Sequence, residues 1–330
     1  MTPIMHVPEE SIKSYLDMDN VIGLMEYVFE NPGLGSMPPK IYLELGENDF
    51  RAMPARFDSA VGIKWASIFP ENRINGYGDS VSATIMLNDS NSGHPIAIMD
   101  GMLITSYRTA AVTGLATKYL SRTNSRIAAF VGCGFQTKFQ VEAILNVRSI
   151  NTIKLFDLDV SRCYDLIDQL DTKCEYIVCE DLEECVRGSD IVTTLTPSRE
   201  PFVMSNWLEP GMHINAIGAD AEGKQEFEND VADVCSRYVI DDKEQAFHSG
   251  ESQHSKNKES MVDLFHVVES KTSRGVNGGT GTRREAEHKG ISFFDSTGLA
   301  IEDVALAALV YTNYIQSILD QTEQDTLRSV

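Results

Sequence analysis

Five uninterrupted apolar residues, Ile127-Ala128-Ala129-Phe130-Val131, run directly into Gly132-Cys133-Gly134. No other stretch constrains the fold as tightly. A strand that is apolar at every position is buried on both faces, which is the habit of parallel sheets covered by helices. Gly132 permits a tight turn and Gly134 lets the backbone approach a ligand. A helical pattern follows through Phe139, Val141, Ile144 and Leu145, and a second apolar strand, Thr152 to Phe156, ends at Asp157. Strand, glycine turn, helix, strand and acid form a dinucleotide fingerprint, in which free N–H groups at the helix N-terminus face a pyrophosphate. Phe135 and Gln136 belong to the same turn, and Gln136-Thr137 stands where a third glycine is usual. The flanking strands, and an acid 23 positions after Gly134, separate this motif from a purely structural turn. Asp157 would accept hydrogen bonds from the adenosine ribose and repel a 2′-phosphate, which favours NAD over NADP; Arg162 nearby tempers that preference.

The alternation continues. A helix is read near Cys163 to Leu170, a strand at Tyr176 to Cys179, a helix at Leu182 to Arg187 and a strand at Asp190 to Leu195. Further strands are read at His213 to Ile217, Tyr238 to Asp241 and Ile291 to Phe294. Such alternation predicts an α/β chain with a Rossmann-type doubly wound parallel sheet. Loops at strand C-termini line the nucleotide crevice of that architecture. Thr196 and Ser198, which follow one such strand, are therefore candidate ribose or nicotinamide contacts; Ser198 serves equally well as a helix cap.

The N-terminal third reads differently. Residues 8–31 have helical spacing, then come strand-like pieces at Ile41 to Leu45 and Val61 to Ile68. Ser82 to Leu87 and Ile96 to Met99 flank a turn-rich gap and predict a hairpin. Thr105 to Leu120 is a helix of small residues, and the polar break Ser121 to Ser125 suggests a domain boundary. The expected division is 1–120 with a C-terminal helix 299–330 as an α+β substrate and dimerisation domain, and 121–298 as the dinucleotide domain. The polar segments Ser249 to Ser260 and Ser270 to Lys289 read as surface loops, the second containing a glycine-rich run from Gly275 to Arg284.

The 330 residues carry 28 basic and 49 acidic side chains, a net charge of -21, which argues against a nucleic-acid partner. No apolar run reaches the roughly 18 residues of a membrane span. The first residues do not resemble a secretory signal, and the six cysteines form no C-x-x-C pair. A cytoplasmic protein with reduced thiols and no metal site is expected.

Four places carry candidate chemistry. Arg51-Ala52-Met53-Pro54 ends an extended piece. Lys64 lies between apolar neighbours, either as an edge residue that snorkels or as an acid–base group whose pKa shifts on desolvation. Arg108 lies near a helix start, where the dipole disfavours a cation, so an anionic ligand is the better reason for it. Asp220 follows a Rossmann strand, where either a turn residue or a catalytic acid is at home. An arginine fork from Arg51 or Arg108 suits a carboxylate, and Asp220 suits an amino group or an attacking water.

The wording of Met37-Pro38-Pro39-Lys40, Arg51-Ala52-Met53-Pro54, Gly62-Ile63-Lys64-Trp65 and Ser106-Tyr107-Arg108-Thr109-Ala110-Ala111, with the glycine turn, resembles the ornithine cyclodeaminase/mu-crystallin family. So does that of Asn215 to Asp220 with Gly223-Lys224, and of Asp295 to Asp303. It is nearest to the family's archaeal-type alanine dehydrogenase branch. The resemblance implies a homodimer built through N-terminal domains and NAD as cofactor. It implies Lys64 and Asp220 as catalytic residues and Arg108 at the substrate carboxylate and beside the cofactor. It also implies nucleotide contacts from Thr84 and Thr109, with Ser296, Thr297 and Gly298 near the nicotinamide. The implied activity is reversible oxidative deamination of a small L-amino acid to a 2-oxo acid and ammonia. The alternatives within the family are ornithine cyclodeamination, cyclic-imine reduction and non-catalytic ligand binding. Ornithine cyclodeaminases carry a glutamate where Arg51 stands, and an arginine there would repel a distal amine. The family's usual Gly-Glu is absent around Glu269-Ser270-Lys271.

Overall fold

The computed structural model describes residues 3–275 and 289–328. The glycine-rich run expected to be a loop therefore lies, from residue 276 on, outside the described residues. The chain forms two compact units, Met1–Arg108 with Leu299–Val330, and Thr109–Gly298. The division falls inside the small-residue helix, upstream of the polar break at Ser121.

The first unit holds strands β1 (Met5–Val7), β2 (Gly35–Ser36), β3 (Ile41–Leu45), β4 (Asn48–Phe57), β5 (Ala60–Ile68), β6 (Val81–Asn88) and β7 (Pro95–Asp100). They form one sheet in the order β1-β7-β6-β5-β4-β2, with β3 also on β4. Only β1 runs parallel to its neighbour. The hairpin β6–β7 matches the sequence reading. The piece expected to end at Pro54 instead continues to Phe57. Pro54 is tolerated because, opposite β5, its neighbour is the link between β2 and β3, where no ladder donor is required.

The helical stretch 8–31 divides into α1 (Glu9–Ser14) and α2 (Met18–Glu30), because Asp17 caps the second by accepting from Asn20 N–H. A short helix, α3 (Asn72–Asn75), follows β5, and α4 (Met102–Leu120) carries the chain out of the unit. The chain returns in the C-terminal helix α11 (Ala300–Arg328), which packs on α2 and on β4, β5 and β6. Met53, Ala55, Phe57, Ala66, Ala83, Ile85 and Leu87 are buried, and alternation along the strands puts Arg51 and Lys64 on the same face as these apolar residues. The opposite face carries Ile41, Leu43, Leu45 and Trp65, all exposed.

The second unit is built on an eight-stranded sheet among the described residues: β8 (Ile127–Val131), β9 (Thr152–Phe156), β10 (Glu175–Val178), β11 (Ile191–Thr194), β12 (His213–Ala216), β13 (Cys235–Ile240), β14 (Val262–Asp263) and β15 (Ile291–Asp295). Every pairing is parallel, in the order β10-β9-β8-β11-β12-β15-β13-β14. Helices α5 (Thr137–Val147), α6 (Val160–Ile167), α7 (Leu182–Val186), α8 (Val231–Val234), α9 (Lys243–Ser249) and α10 (Leu264–Gly275) connect them. The chain leaves β8 towards β9 and β10, then crosses back to β11 and the far half of the sheet. The switch point therefore lies between β8 and β11, where doubly wound folds bind ligands. Alternate residues of β8 serve two cores, Ala128 and Phe130 on one face and Ala129 and Val131 on the other, which explains its unbroken apolar run.

Candidate active site and dinucleotide site

In the first unit, four ionisable groups meet out of water. Lys64 Nζ on β5 lies 2.6 Å from Asp303 Oδ2 on α11 and donates to Thr105 Oγ1 at 3.3 Å. Arg108 on α4 donates from Nε to Asp303 Oδ1 at 2.9 Å and from Nη1 to Glu302 Oε2 at 2.8 Å. Its Nη2 donates to nothing among the described residues. Lys64 is 3 % exposed and Arg108 4 %, while Glu302 and Asp303 are fully buried. Both acids stand in the first turn of α11, where the helix dipole favours anions. Burial pulls the Lys64 ammonium down to about 8, against the opposing pull of Asp303. Burial opposes charge on Arg108 too, but Asp303 and Glu302 outweigh it and raise its pKa. Asp303 is held below the usual carboxylate range: burial works against that, and Arg108 and Lys64 overcome it. The cluster thus contains one group able to exchange a proton near neutrality, Lys64, and one fixed cation, Arg108.

Arg51 shares the inner sheet face. Its guanidinium grips Asp49 through Nε (2.7 Å) and Nη2 (3.3 Å) and lies 5.4 Å from the Tyr42 ring centroid. Thr84 is not on that face. It is the cross-strand neighbour of Trp65 and Asp100 and is exposed on the outer side.

In the second unit, Gly132 has φ +93°, a backbone region favoured by glycine, and a Cβ there would stand 3.0 Å from Leu195 O. Nothing lies within 4 Å of a Cβ built on Gly134, which leaves open space at the turn. The N–H groups of Gly134, Phe135 and Gln136 donate to nothing among the described residues, and Gln136 Oε1 is buried without a partner. This open cradle of free donors fits a pyrophosphate. Thr137, at the position of the third glycine, closes the turn by donating to Gly132 O at 2.7 Å. Asp157 at the end of β9 accepts Cys133 N–H at 2.8 Å and Asp159 N–H at 2.9 Å, one on each oxygen, so its carboxylate is fixed beside the turn.

The loops after β11, β12 and β15 are stapled by buried acids that the sequence reading did not single out. Glu226 accepts from Thr194 and Thr196 hydroxyls and from the N–H groups of Thr196 and Gly218. A Cβ at Gly218 would stand 2.5 Å from Glu226 Oε1, so this approach requires glycine. Glu251 accepts Glu226 N–H, Asp295 accepts Glu251 and Ser252 N–H, and Asp241 accepts Thr297 and Gly298 N–H. Burial raises all four carboxyls, Asp241 to about 6 and Asp295 to about 7. The segment Ser249 to Ser260, expected at the surface, starts with Ser249, Glu251 and Ser252 buried for this reason. Ser296 N–H donates to Ala216 O, and Gln245 bridges Thr297 Oγ1 and Gly298 O.

Ser198 caps no helix; it forms a local turn with Glu200. Asp220, after β12, is half-buried and paired with Lys224 Nζ at 2.6 Å. Thr109, on α4, is largely buried. The structure therefore gathers Lys64, Arg108 and Arg51 on one side of the first unit. It gathers Gly132, Gly134, Phe135, Gln136, Asp157, Thr196, Ser198, Asp220, Ser296, Thr297 and Gly298 at the C-terminal edge of the second unit's sheet. Sequence reasoning assigned no role to Glu302 and Asp303; two adjacent acids in the first turn of a helix carry no local signal beyond the dipole.

A doubly wound parallel sheet with this glycine turn, joined to an α+β unit carrying a buried lysine–arginine–carboxylate cluster, defines a two-part α/β protein of the dinucleotide-binding class. The chain belongs to the ornithine cyclodeaminase/mu-crystallin family, whose family model matches residues 4–317. It is 39 % identical over 308 residues to an alanine dehydrogenase of Archaeoglobus fulgidus, covering 92 % of this chain and 93 % of that one. Among solved structures it resembles an archaeal alanine dehydrogenase dimer with bound NAD: TM-score 0.84, 36 % identity, covering 96 % of this chain and 97 % of the other. It also resembles the Thermococcus litoralis Δ1-pyrroline-2-carboxylate reductase in complex with NADH and L-proline, with TM-score 0.85 and 29 % identity, covering 95 % and 98 %.

Proposed function

We propose that the chain is an NAD-dependent enzyme that interconverts a small L-amino acid with its 2-oxo acid and ammonia. The observation that carries this reading is the buried ammonium of Lys64, with its pKa lowered to about 8, sharing one carboxylate with a guanidinium. NAD supplies the chemistry the side chains lack, accepting or donating a hydride at the substrate's C2.

Arg108, with Nη2 available, holds the substrate carboxylate, and Arg51, backed by Asp49, offers a second cation. In the reductive direction Lys64 in its ammonium form polarises the carbonyl or imine. A pKa near the working pH suits it to give and take a proton. Asp220, kept in place by Lys224, assists water in its attack on the imine in the oxidative direction. Gly132, Gly134, Phe135, Gln136, Asp157, Thr109, Thr196, Ser198, Ser296, Thr297 and Gly298 hold the dinucleotide. Thr84, on the outer face of its sheet, is the weakest of the proposed nucleotide contacts.

The exposed row Ile41, Leu43, Leu45 and Trp65 supports a homodimer formed through this sheet face, in keeping with the dimer seen in the archaeal relative. Six free cysteines suit a reducing cytoplasm. No helix among the described residues is long and apolar enough to cross a membrane.

The test is NADH absorbance with pyruvate and ammonium, extended to a panel of 2-oxo acids. Ammonium-dependent NADH oxidation is expected, and none across the panel would refute the reading. The likeness to the proline-bound reductase favours one second reading, reduction of a five-membered cyclic imine. NADH oxidation by Δ1-pyrroline-2-carboxylate without ammonium would select it.

A further inference from the structure

Asp303 has no part in the chemistry outlined above, yet it joins three elements remote in sequence. Its carboxyl group, fully buried at the start of α11, places Oδ2 on Lys64 of β5 and Oδ1 on Arg108 of α4. Stability does not explain this arrangement. Buried ion clusters are commonly no more stabilising than apolar side chains of equal volume. What a single carboxyl group does provide is a fixed short span between the two cations it holds. Thr105 Oγ1, within 3.5 Å of Oδ1, and Glu302, on the far side of Arg108, keep that span from drifting.

We propose that Asp303 is a positioning residue for the dehydrogenase reaction. It sets the separation of the proton-carrying ammonium and the carboxylate-binding guanidinium, and so matches substrates whose nitrogen and carboxylate are borne by the same carbon. The proposal rests on the amino-acid dehydrogenase reading. The groups facing Lys64 are Asp303 and Glu302 from α11, Arg108 and Thr105 from α4, and the apolar Met53 and Ile85 beside it in the sheet. Asp303 is the main anion holding the ammonium protonated, and Arg108 pushes the other way.

Three variants of the full-length enzyme test this. D303N keeps the shape and removes the charge. It should lower kcat on the order of 10²-fold, the scale of a misplaced catalytic group. It should also move the lysine limb of the pH–rate profile down by about one unit or more. D303E keeps the charge and lengthens the arm by one methylene. Its limb should stay in place while kcat falls at least about 10-fold. E302Q should chiefly raise KM for the 2-oxo acid. A direct readout needs no turnover: with ε-13C-lysine labelling, and the Lys64 signal assigned by K64R, the titration midpoint should drop in D303N and hold in D303E. Wild-type kinetics in D303E, or an unmoved midpoint in D303N, overturns the proposal. If D303N does not fold, D303E alone decides. If the wild type turns over no amino or 2-oxo acid, the dehydrogenase reading fails, and the midpoints still show whether Asp303 governs Lys64.

Discussion

Replacing Lys64 with methionine removes the ammonium and keeps most of the side-chain volume. The effect on the fold is set by two opposing quantities. Asp303 loses the partner on Oδ2, and an incompletely paired buried group costs about 1–3 kcal/mol or more when charged. Arg108 still binds Oδ1, which limits that loss. In the other direction, burial disfavours the charged form of Lys64 strongly enough to bring its pKa down to about 8 despite Asp303, and the substitution relieves that penalty. The two oppose each other, and the melting temperature should move by only a few degrees. Catalysis has no such compensation. Losing a positioned general acid–base costs 10²–10⁴-fold, or about 3–5 kcal/mol on the barrier. The assay is NADH oxidation with pyruvate and ammonium, alongside NADH fluorescence to measure cofactor affinity. The expected result is a fall in kcat/KM of roughly 10² or more with cofactor affinity unchanged. A folded K64M enzyme with a wild-type rate would refute the argument.

Reductive turnover should fall as pH rises through about 8, where Lys64 loses its proton, and K64R should abolish that limb; steady-state rates from pH 6 to 10 check this. D157S should release the restriction on a 2′-phosphate and improve NADPH use relative to NADH, read as the ratio of kcat/KM for the two; an unchanged ratio would remove Asp157 from cofactor choice. The buried acids of the second unit bind protons more tightly folded than unfolded. Their contribution is therefore fully present below the ordinary carboxylate range and is lost as pH rises through about 6 for Asp241 and about 7 for Asp295. Calorimetry should show a melting temperature that rises from pH 8 to 6, with a flatter dependence in D295N. Placing glutamate at Leu43 or Trp65 should shift the mass measured by light scattering from dimer to monomer, whereas an unaltered mass would move the interface elsewhere.

Much of the second unit was legible because its signals are local. The run Ile127 to Val131 is apolar since both faces are covered, and Gly132 and Asp157 each answer to a backbone geometry set within a few residues. Lys64 stood out for the same reason, as a charge among apolar neighbours, whereas Arg108 stood out on a helix start that the structure moves up to Met102, so that Glu302 and Asp303 rather than a first-turn dipole account for it. Asp303 and Glu302 did not stand out, because their meaning comes from residues some 200 positions away in sequence. Glu226, Glu251, Asp241 and Asp295 were not singled out, because each is buried by donors from other loops. Pro54 misled in the opposite way. It marks the end of a strand in most settings, and only the pairing of β4 with two separate short neighbours makes room for it.

The two acids that complete the lysine–arginine cluster are supplied by α11, near the end of the chain. A ribosome that has delivered residues up to Arg108 has made both cations and neither counter-ion, and must translate the whole intervening nucleotide-binding unit before they arrive. The half made first is thus the half finished last. A message cut short before Asp303 would leave a dinucleotide-binding module with a full set of turn donors and no organised partner for a substrate's proton.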